Sequence, residues 1–192
     1  MKIMINAGHD ATRKANGLPI DSGAVNFNHN VYECDIAREI SLKVVELLKA
    51  DGHQVVFMQQ DNLNGEDGYN VKYSVCYQAN VNKMDLFISI HTNSHDKKAA
   101  NGTECLVYEL GTRAGDLADC IQNELVEQLD TFDRGVRPRS DLCVLADTNM
   151  PAVLVEPAFI SNEDDFYILT TQQNEIAEAI ARGINTYIED YA

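Results

Sequence analysis

The chain has 192 residues, of which 45% are hydrophobic and 23% charged, which is enough for one folded domain and argues against a disordered segment. Acidic residues outnumber basic residues by 30 to 15, and the formal net charge is −15. A field of this sign repels phosphate backbones and anionic membrane surfaces, so nucleic acid is not expected as a partner. No apolar run approaches the ~20 residues that a membrane-spanning helix needs.

Short apolar runs alternate with amphipathic stretches along the whole chain. Six runs have the length and the Val, Ile and Leu content of strands: Lys2–Asn6, Gln54–Met58, Asp85–Ile90, Glu104–Tyr108, Asp141–Leu145 and Ala152–Val155. Three stretches with apolar residues at helical spacing predict helices: from near Tyr32 to Gly52, around Leu117–Leu129, and around Ile176–Ile188. This order predicts an α/β fold whose sheet is covered on both faces, in a single domain over residues 1–192.

The cysteines and the amino terminus bear on where the chain is made. The five cysteines are scattered and never form a C-x-x-C pair, which argues against a disulfide framework and a cysteine zinc site. They are predicted to be small buried hydrophobes in a chain made in a reducing compartment. Met1-Lys2 leads directly into Ile-Met-Ile, so we expect synthesis without a secretory leader, or a catalytic domain trimmed of one.

Four polar residues are predicted to meet at one edge of the sheet. His9, His91 and Glu156 each follow a predicted strand, where sites of α/β sheets collect. Glu33 begins the first long helix, which a crossover brings back near the first strand. Two imidazoles and one carboxylate form a donor set suited to catalytic zinc, and the remaining glutamate would act as general base. Taken singly, the histidines and Glu33 also have structural explanations, as loop histidines and as an acid in the first turn of a helix. Glu156 is harder to explain this way, because an acid that ends a buried strand costs free energy unless it is paired or used.

Other polar residues have simpler explanations. His91 and His95 have the i,i+4 spacing of a helical metal pair, but the intervening Thr-Asn-Ser favours a turn, which predicts that His95 lies in a surface loop. The acidic run 161–165 is predicted to start a helix, with Ser161 as its N-cap.

Three arginines stand out against the acidic background: Arg134, Arg137 and Arg139. They could bind a substrate carboxylate, because guanidinium pairs well with one. The favoured interpretation is a solvated loop in which they neutralise nearby acids, namely Asp130, Asp133 and Asp141.

Several segments together carry a resemblance to a known family. They are Asn-Ala-Gly-His (6–9), Asp-Ser-Gly-Ala (21–24), Glu33 with Ile36-Ala37, Ala79-Asn80, Asp-Leu-Phe-Ile-Ser-Ile-His-Thr-Asn (85–93), Gly102-Thr103-Glu104, Arg134-Gly135-Val136 and Pro-Ala-Val-Leu-Val-Glu-Pro-Ala-Phe-Ile-Ser-Asn (151–162). In order and separation, they resemble the zinc-dependent N-acetylmuramoyl-L-alanine amidases, in the branch of bacterial cell-separation amidases and phage endolysins.

The resemblance implies a fold, an activity and a role for each site residue. The implied fold is a twisted, mostly parallel sheet of about six strands flanked by helices. His9, Glu33 and His91 would be the Zn²⁺ ligands, and Glu156 the catalytic acid/base. The bond cut would join the lactyl group of N-acetylmuramic acid to L-alanine of the peptidoglycan stem peptide.

Departures from the family pattern concern substrate contacts. Asp10 stands where the family usually has glycine after the histidine, and Pro157-Ala158-Phe159 replaces the usual residues after Glu156. Arginines common after the second strand and before Ala79-Asn80 are missing. None of these changes removes a predicted ligand or the predicted base.

Alternatives to the amidase remain at this level. The chain could be a zinc peptidase acting on a stem-peptide bond, a non-catalytic wall-binding module, or an enzyme that a partner must open. The complete ligand set argues against the module. Action at the bacterial cell wall is expected, as a phage endolysin or, less favoured, an autolysin domain. Because the acidic chain is repelled by anionic wall polymers, a separate wall-targeting domain is also expected.

Overall fold

A computed structural model describes residues 1–66 and 68–191 of the chain. The strands of this part are β1 (Lys2–Ala7), β2 (Asp10–Arg13), β3 (Pro19–Asp21), β4 (Val25–Asn26), β5 (Val31–Tyr32), β6 (Gln54–Met58), β7 (Leu86–Ile90), β8 (Thr103–Val107), β9 (Asp133–Pro138) and β10 (Ala152–Glu156). The helices are α1 (Glu33–Ala50), α2 (Val75–Val81), α3 (Arg113–Leu129), α4 (Cys143–Ala146), α5 (Glu163–Thr171) and α6 (Gln173–Tyr191), with a short 3₁₀ turn at Val71–Tyr73.

The central sheet has six strands in the order β6-β1-β7-β10-β8-β9. Strand β1 pairs in parallel with β6 and β7, and β7 pairs in parallel with β10. The β10–β8 pair is antiparallel, whereas β9 is parallel to β8. The predicted α/β fold with a mostly parallel sheet of about six strands is therefore confirmed. Two hairpins, β2–β3 and β4–β5, lie outside the sheet between β1 and α1.

Each strand of the sheet centre is apolar on both sides because each face packs against helices. Ile5, Ile88 and Val153 belong to a core that also contains the buried stripes of α1, α3 and α6. Phe87 and Leu154 point to the opposite face, where α2 and α4 cover them. Because both faces are buried, the sequences of these strands are continuous apolar runs and do not alternate between apolar and polar residues.

Two predicted elements were wrong, and both are short. The run 141–145, predicted as a strand, forms the one-turn helix α4, because Val144 and Leu145 pack together against the sheet. A short apolar run does not distinguish a strand from a buried helical turn. The segment Asp133–Pro138, predicted as a loop, is the edge strand β9.

The cap of α5 differs from the prediction by one residue. The side chain of Asn162, not Ser161, accepts a hydrogen bond from the backbone N–H of Asp165 at 3.1 Å. The hydroxyl of Ser161 instead accepts from the backbone N–H of His95 at 3.0 Å. The acids Glu163, Asp164 and Asp165 occupy the first turn of α5, as the sequence indicated.

Two further observations concern the chain as a whole. All five cysteines lie in the described residues and none forms a disulfide. Within residues 1–66 and 68–191, no helix combines the length and the apolar character needed to cross a bilayer.

Candidate metal centre

His9 lies directly after β1 and takes a left-handed backbone conformation, with φ 63°. This turn carries its ring toward the β2–β3 hairpin, where Nδ1 lies 2.6 Å from Oδ2 of Asp21. A carboxylate on one ring nitrogen fixes the tautomer and leaves Nε2 available on the other side. That Nε2 lies 3.2 Å from Oε2 of Glu33.

Glu33 is the first residue of α1 and is buried. Its Oε2 accepts the backbone N–H of Ala24 at 2.8 Å, and its Oε1 accepts the backbone N–H of Thr92 at 3.0 Å. Burial alone would raise the pKa of this carboxyl group, but hydrogen bonds and charge attraction from His9 and His91 outweigh it and lower the pKa. The structure therefore holds Glu33 as a carboxylate between two imidazoles.

His91 follows β7, and its backbone N–H donates to the carbonyl of Val155 on β10 at 3.0 Å. Its Nδ1 lies 3.0 Å from Oε1 of Glu33. Donor atoms of His9, Glu33 and His91 all lie within 4.8 Å of one another, so this group could hold a metal ion. The sequence prediction that these three residues meet at the carboxyl edge of the sheet is thus realised in the structure.

Two glycines provide the space in which the imidazoles lie. A Cβ built on Gly8 would lie 2.4 Å from ring atoms of His91. A Cβ on Gly23, which has φ +62°, would lie 2.4 Å from Cδ2 of His9 and 2.6 Å from Oε2 of Glu33. Because contacts this short do not occur, both positions need glycine if the rings are to keep these places.

The donor set fits a divalent metal with catalytic character. Two imidazole nitrogens and one carboxylate leave further coordination positions for water or substrate, as in three-ligand zinc sites. The side chains of His9 and His91 are 25% and 19% exposed, so the donors can be reached from solvent. They border a cavity of about 120 Å³ that Asp21, Gln60, Asp61 and Leu63 also line.

Glu156 is the last residue of β10, close enough to Glu33 for the charges of the two carboxylates to interact, but it lies in a different environment. Its Oε2 is buried, and no described residue gives it a hydrogen bond. Burial, followed by the nearby charges of Glu33 and Glu104, raises the pKa of Glu156 well above its usual value. An unpartnered buried carboxyl oxygen is costly, which is typical of a group kept for chemistry.

Glu104 on β8 lies directly opposite Glu156 in the antiparallel β10–β8 register. It is 8% exposed, and its carboxylate accepts a hydrogen bond from the Asn93 side chain at 2.5 Å. Arg134 donates to it from Nε at 3.1 Å and lies over the ring of Phe159, 4.9 Å from the ring centroid. The carboxylate also has Arg137 Nε at 3.3 Å.

Of the three arginines, only Arg139 pairs with one of the acids named in the favoured prediction. Arg139 pairs with Asp141 through two hydrogen bonds, at 2.8 and 2.9 Å. Arg134 and Arg137 instead turn to Glu104, an acid on a neighbouring strand.

The remaining sequence candidates lie outside the metal-binding group. His95 is exposed, as predicted, and its Nδ1 accepts the backbone N–H of Lys97 at 2.9 Å. The competing pair of His91 with His95 is thus not formed. Asp10, the departure after His9, uses Oδ1 to accept the backbone N–H of Thr12 at 2.8 Å.

Two residues of this region were given no role from the sequence: Asp21 and Glu104. Both stood in segments that carried the family resemblance, which was the only signal for them. Their roles depend on a hairpin fold and on a strand register, and neither can be read from residue spacing.

Comparisons with known proteins find similarity along nearly the whole chain. The family model for N-acetylmuramoyl-L-alanine amidase matches residues 3–186. The uncharacterized protein YqiI of Bacillus subtilis (strain 168) is 36% identical over 192 residues, covering 97% of this chain and 84% of YqiI. The N-acetylmuramoyl-L-alanine amidase LytC of the same strain is 33% identical over 172 residues, covering 87% of this chain but only 33% of LytC.

A solved structure shares the whole fold. The catalytic domain of CwlV, an N-acetylmuramoyl-L-alanine amidase from Bacillus (Paenibacillus) polymyxa var. colistinus, superposes with a TM-score of 0.81 at 30% identity. The match covers 98% of this chain and 98% of the CwlV domain.

Proposed function

Since this chain belongs to the N-acetylmuramoyl-L-alanine amidase family, we propose that it hydrolyses the amide between the lactyl group of N-acetylmuramic acid and L-alanine in peptidoglycan. The observation that carries the proposal is the convergence of His9, Glu33 and His91 donors within 4.8 Å, near Glu156 with its buried and unpartnered Oε2. One group can hold a Lewis acid, and the other can exchange protons with the reacting atoms.

We propose that the metal is zinc, held by His9, Glu33 and His91. A nitrogen-rich set of three protein ligands is the usual environment of catalytic zinc, whereas magnesium and calcium prefer oxygen. When bound, zinc polarises a carbonyl and lowers the pKa of water, which is the chemistry that amide hydrolysis needs. Asp21 supports the site because it orients His9 from the far side of the ring.

Glu156 is proposed as the catalytic acid/base. As a carboxylate it would accept a proton from the attacking water and then deliver that proton to the departing alanine nitrogen, and surroundings that raise its pKa help it to hold the proton between the two steps. Its position supports this role. Ile90 and Val155 are paired in the β7–β10 register, so His91 and Glu156, the residues that follow them, lie at the same edge of the sheet. The products are the lactyl carboxylic acid and a free amino terminus on L-alanine.

The proposal extends to the setting in which the chain acts. Residues 1–192 are proposed to serve as one catalytic domain that works at the bacterial cell wall. A separate wall-targeting domain is proposed as its partner, because the net charge of −15 opposes binding to anionic wall polymers.

The test combines metal content with product analysis. Purified protein and a Glu156→Gln variant are incubated with peptidoglycan, and the bound metal and new amino termini are measured. We expect about one zinc per chain in both proteins, and new N-terminal L-alanine with the unsubstituted protein alone.

Each other outcome identifies a different function. Bound zinc with a new amino terminus other than L-alanine would make the chain a stem-peptide peptidase. Binding to the wall without any new amino terminus would make it a wall-binding module and overturn the proposal.

A further inference from the structure

The three arginines near Glu156 differ in how fully their guanidinium groups are used. Arg139 is held by two hydrogen bonds to Asp141. Arg134 donates to Glu104 and to the carbonyl of Asn101, and lies on a phenyl ring. Arg137 uses only Nε, toward the carbonyl of Arg134 and the Glu104 carboxylate, and within the described residues its terminal nitrogens donate no hydrogen bond. Among the three, Arg137 therefore has the most donors left for a ligand, since both of its terminal nitrogens are unused within the described residues.

Arg137 lies on the same face of the sheet as Glu156. Leu154 and Leu106 belong to the core on the α2 and α4 face, so Glu156 and Glu104, two residues from them along their strands, share that face. Arg137 pairs with Leu106 in the β8–β9 register and is half exposed, with 51% of its side chain accessible. A substrate that extends from Glu156 across β8 toward β9 along this face reaches the Arg137 guanidinium.

The negative charge of this surface makes a cation with unused hydrogen-bond donors significant. Glu33 and Glu104 both lie close enough to Glu156 for their charges to act on it, and the chain carries 30 acids in all. A substrate carboxylate entering the site would be repelled unless a cation received it. Guanidinium suits this purpose because two parallel N–H groups can hold one carboxylate.

We propose that Arg137 binds a carboxylate on the peptide side of the scissile amide and so selects stem peptides that carry one. This inference rests on the proposed function, because it assumes that the amide is cut beside Glu156. Two strand spacings separate β10 from β9, about 10 Å, which an extended peptide spans in about three residues. The carboxylate is therefore expected two or three residues beyond the scissile amide.

The experiment compares two synthetic substrates with the zinc-loaded protein. One is an N-acetylmuramoyl tetrapeptide with free carboxylates, and the other is the same molecule with every carboxylate converted to a carboxamide. We expect the unsubstituted protein to show a KM about five- to tenfold lower for the free acid, with kcat little changed, since the contact lies away from the reacting atoms.

Variants assign that preference to one side chain. Arg137→Ala should remove it, and Arg137→Lys should keep part of it, because lysine retains the charge but not the paired donors. The fold should survive, since Glu104 keeps its bonds to Asn93 and Arg134. Arg182→Ala is the matched control, because it removes the same charge from α6, where Arg182 pairs with Glu124.

The outcomes separate this inference from the proposed function. If the lactyl amide of both substrates is cut equally well, or if Arg137→Ala keeps the preference, the role of Arg137 is overturned while the amidase stands. If neither substrate is cut at the lactyl amide, the proposed amidase function is overturned. Calorimetric Kd values for the same two molecules then test whether Arg137 binds the carboxylate. Equal Kd values for the free acid and the amide would then overturn the role of Arg137 as well.

Discussion

Glu33 is a buried and Glu156 a partly buried glutamate at one edge of the sheet, and their surroundings differ at every contact. Glu33 has two backbone N–H donors and two imidazoles, and its pKa is lowered. Glu156 has a buried oxygen without any partner among the described residues, and other acids help to raise its pKa. In the proposed function, these surroundings would let one residue type serve as a fixed metal ligand in one place and as a proton carrier in another.

The largest effect is expected from removing a ligand on the Glu33 side. His91→Ala should lower metal affinity by more than about 100-fold, because loss of a ligand costs more than loss of a residue that only contacts a ligand. Hydrolysis should fall to background. Metal content after dialysis and release of N-terminal L-alanine measure the two effects. His95→Ala is the matched control, and equal metal loss in both variants would contradict the assigned ligand set.

The second-largest effect is expected from a substitution of Glu156, which should change catalysis without changing metal content. Glu156→Gln should lower kcat by about 10²–10⁴-fold while metal content stays unchanged, because the amide cannot carry the proton. Glu178→Gln, an exposed change on α6, serves as the control for the loss of one negative charge. Full activity in Glu156→Gln would remove the difference in role between the two glutamates.

A smaller effect is expected from Asp21, which contacts a proposed ligand, His9, rather than the metal. Asp21→Asn weakens the contact that orients His9 and should lower metal affinity by about 10–100-fold, with slower hydrolysis only at limiting metal. Metal titration against a competing chelator gives the affinity. Asp35→Asn breaks the exposed ion pair with Arg13 and should leave the affinity unchanged.

The smallest effect is a pH dependence of the metal-free protein. Burial lowers the pKa of His9, but hydrogen bonds and attraction from Glu33 and Asp21 outweigh it and raise the pKa from 6.5 to about 9. The stabilisation by protonated His9 is complete below about pH 6.5 and is lost as the pH rises through 9. The Tm of the metal-free protein should therefore fall over this window more steeply than the Tm of His9→Gln. Parallel curves would show that His9 is not held as an imidazolium by these acids.

The central strands and the residues of the candidate metal centre could be predicted because apolar runs and strand ends follow simple rules. Strands β1, β6, β7, β8 and β10 lie within two residues of their predicted bounds. Their carboxyl ends then placed His9 and His91 at one edge, since parallel strands end together.

The missed features depend on contacts that no local pattern contains. Strand β9 has the sequence Asp-Arg-Gly-Val-Arg-Pro, in which only Val136 packs on the core, so it lacks the apolar periodicity of a strand. The pairing of Arg137 with Glu104 follows from the β8–β9 register. The contact of Asp21 with His9 needs the β2–β3 hairpin to fold back.

The reversed direction of β8 has a consequence for how this protein can change. Because β8 runs antiparallel to β10, the end of β7 and the start of β8 lie at the same edge, and the chain from His91 to Gly102 never crosses the sheet. Residues 94–99 of this connection are exposed. A longer or shorter connection here would reshape the surroundings of His91 without moving any crossover helix. This segment is thus a natural place for lineages, or for an engineer, to vary specificity while the scaffold stays intact.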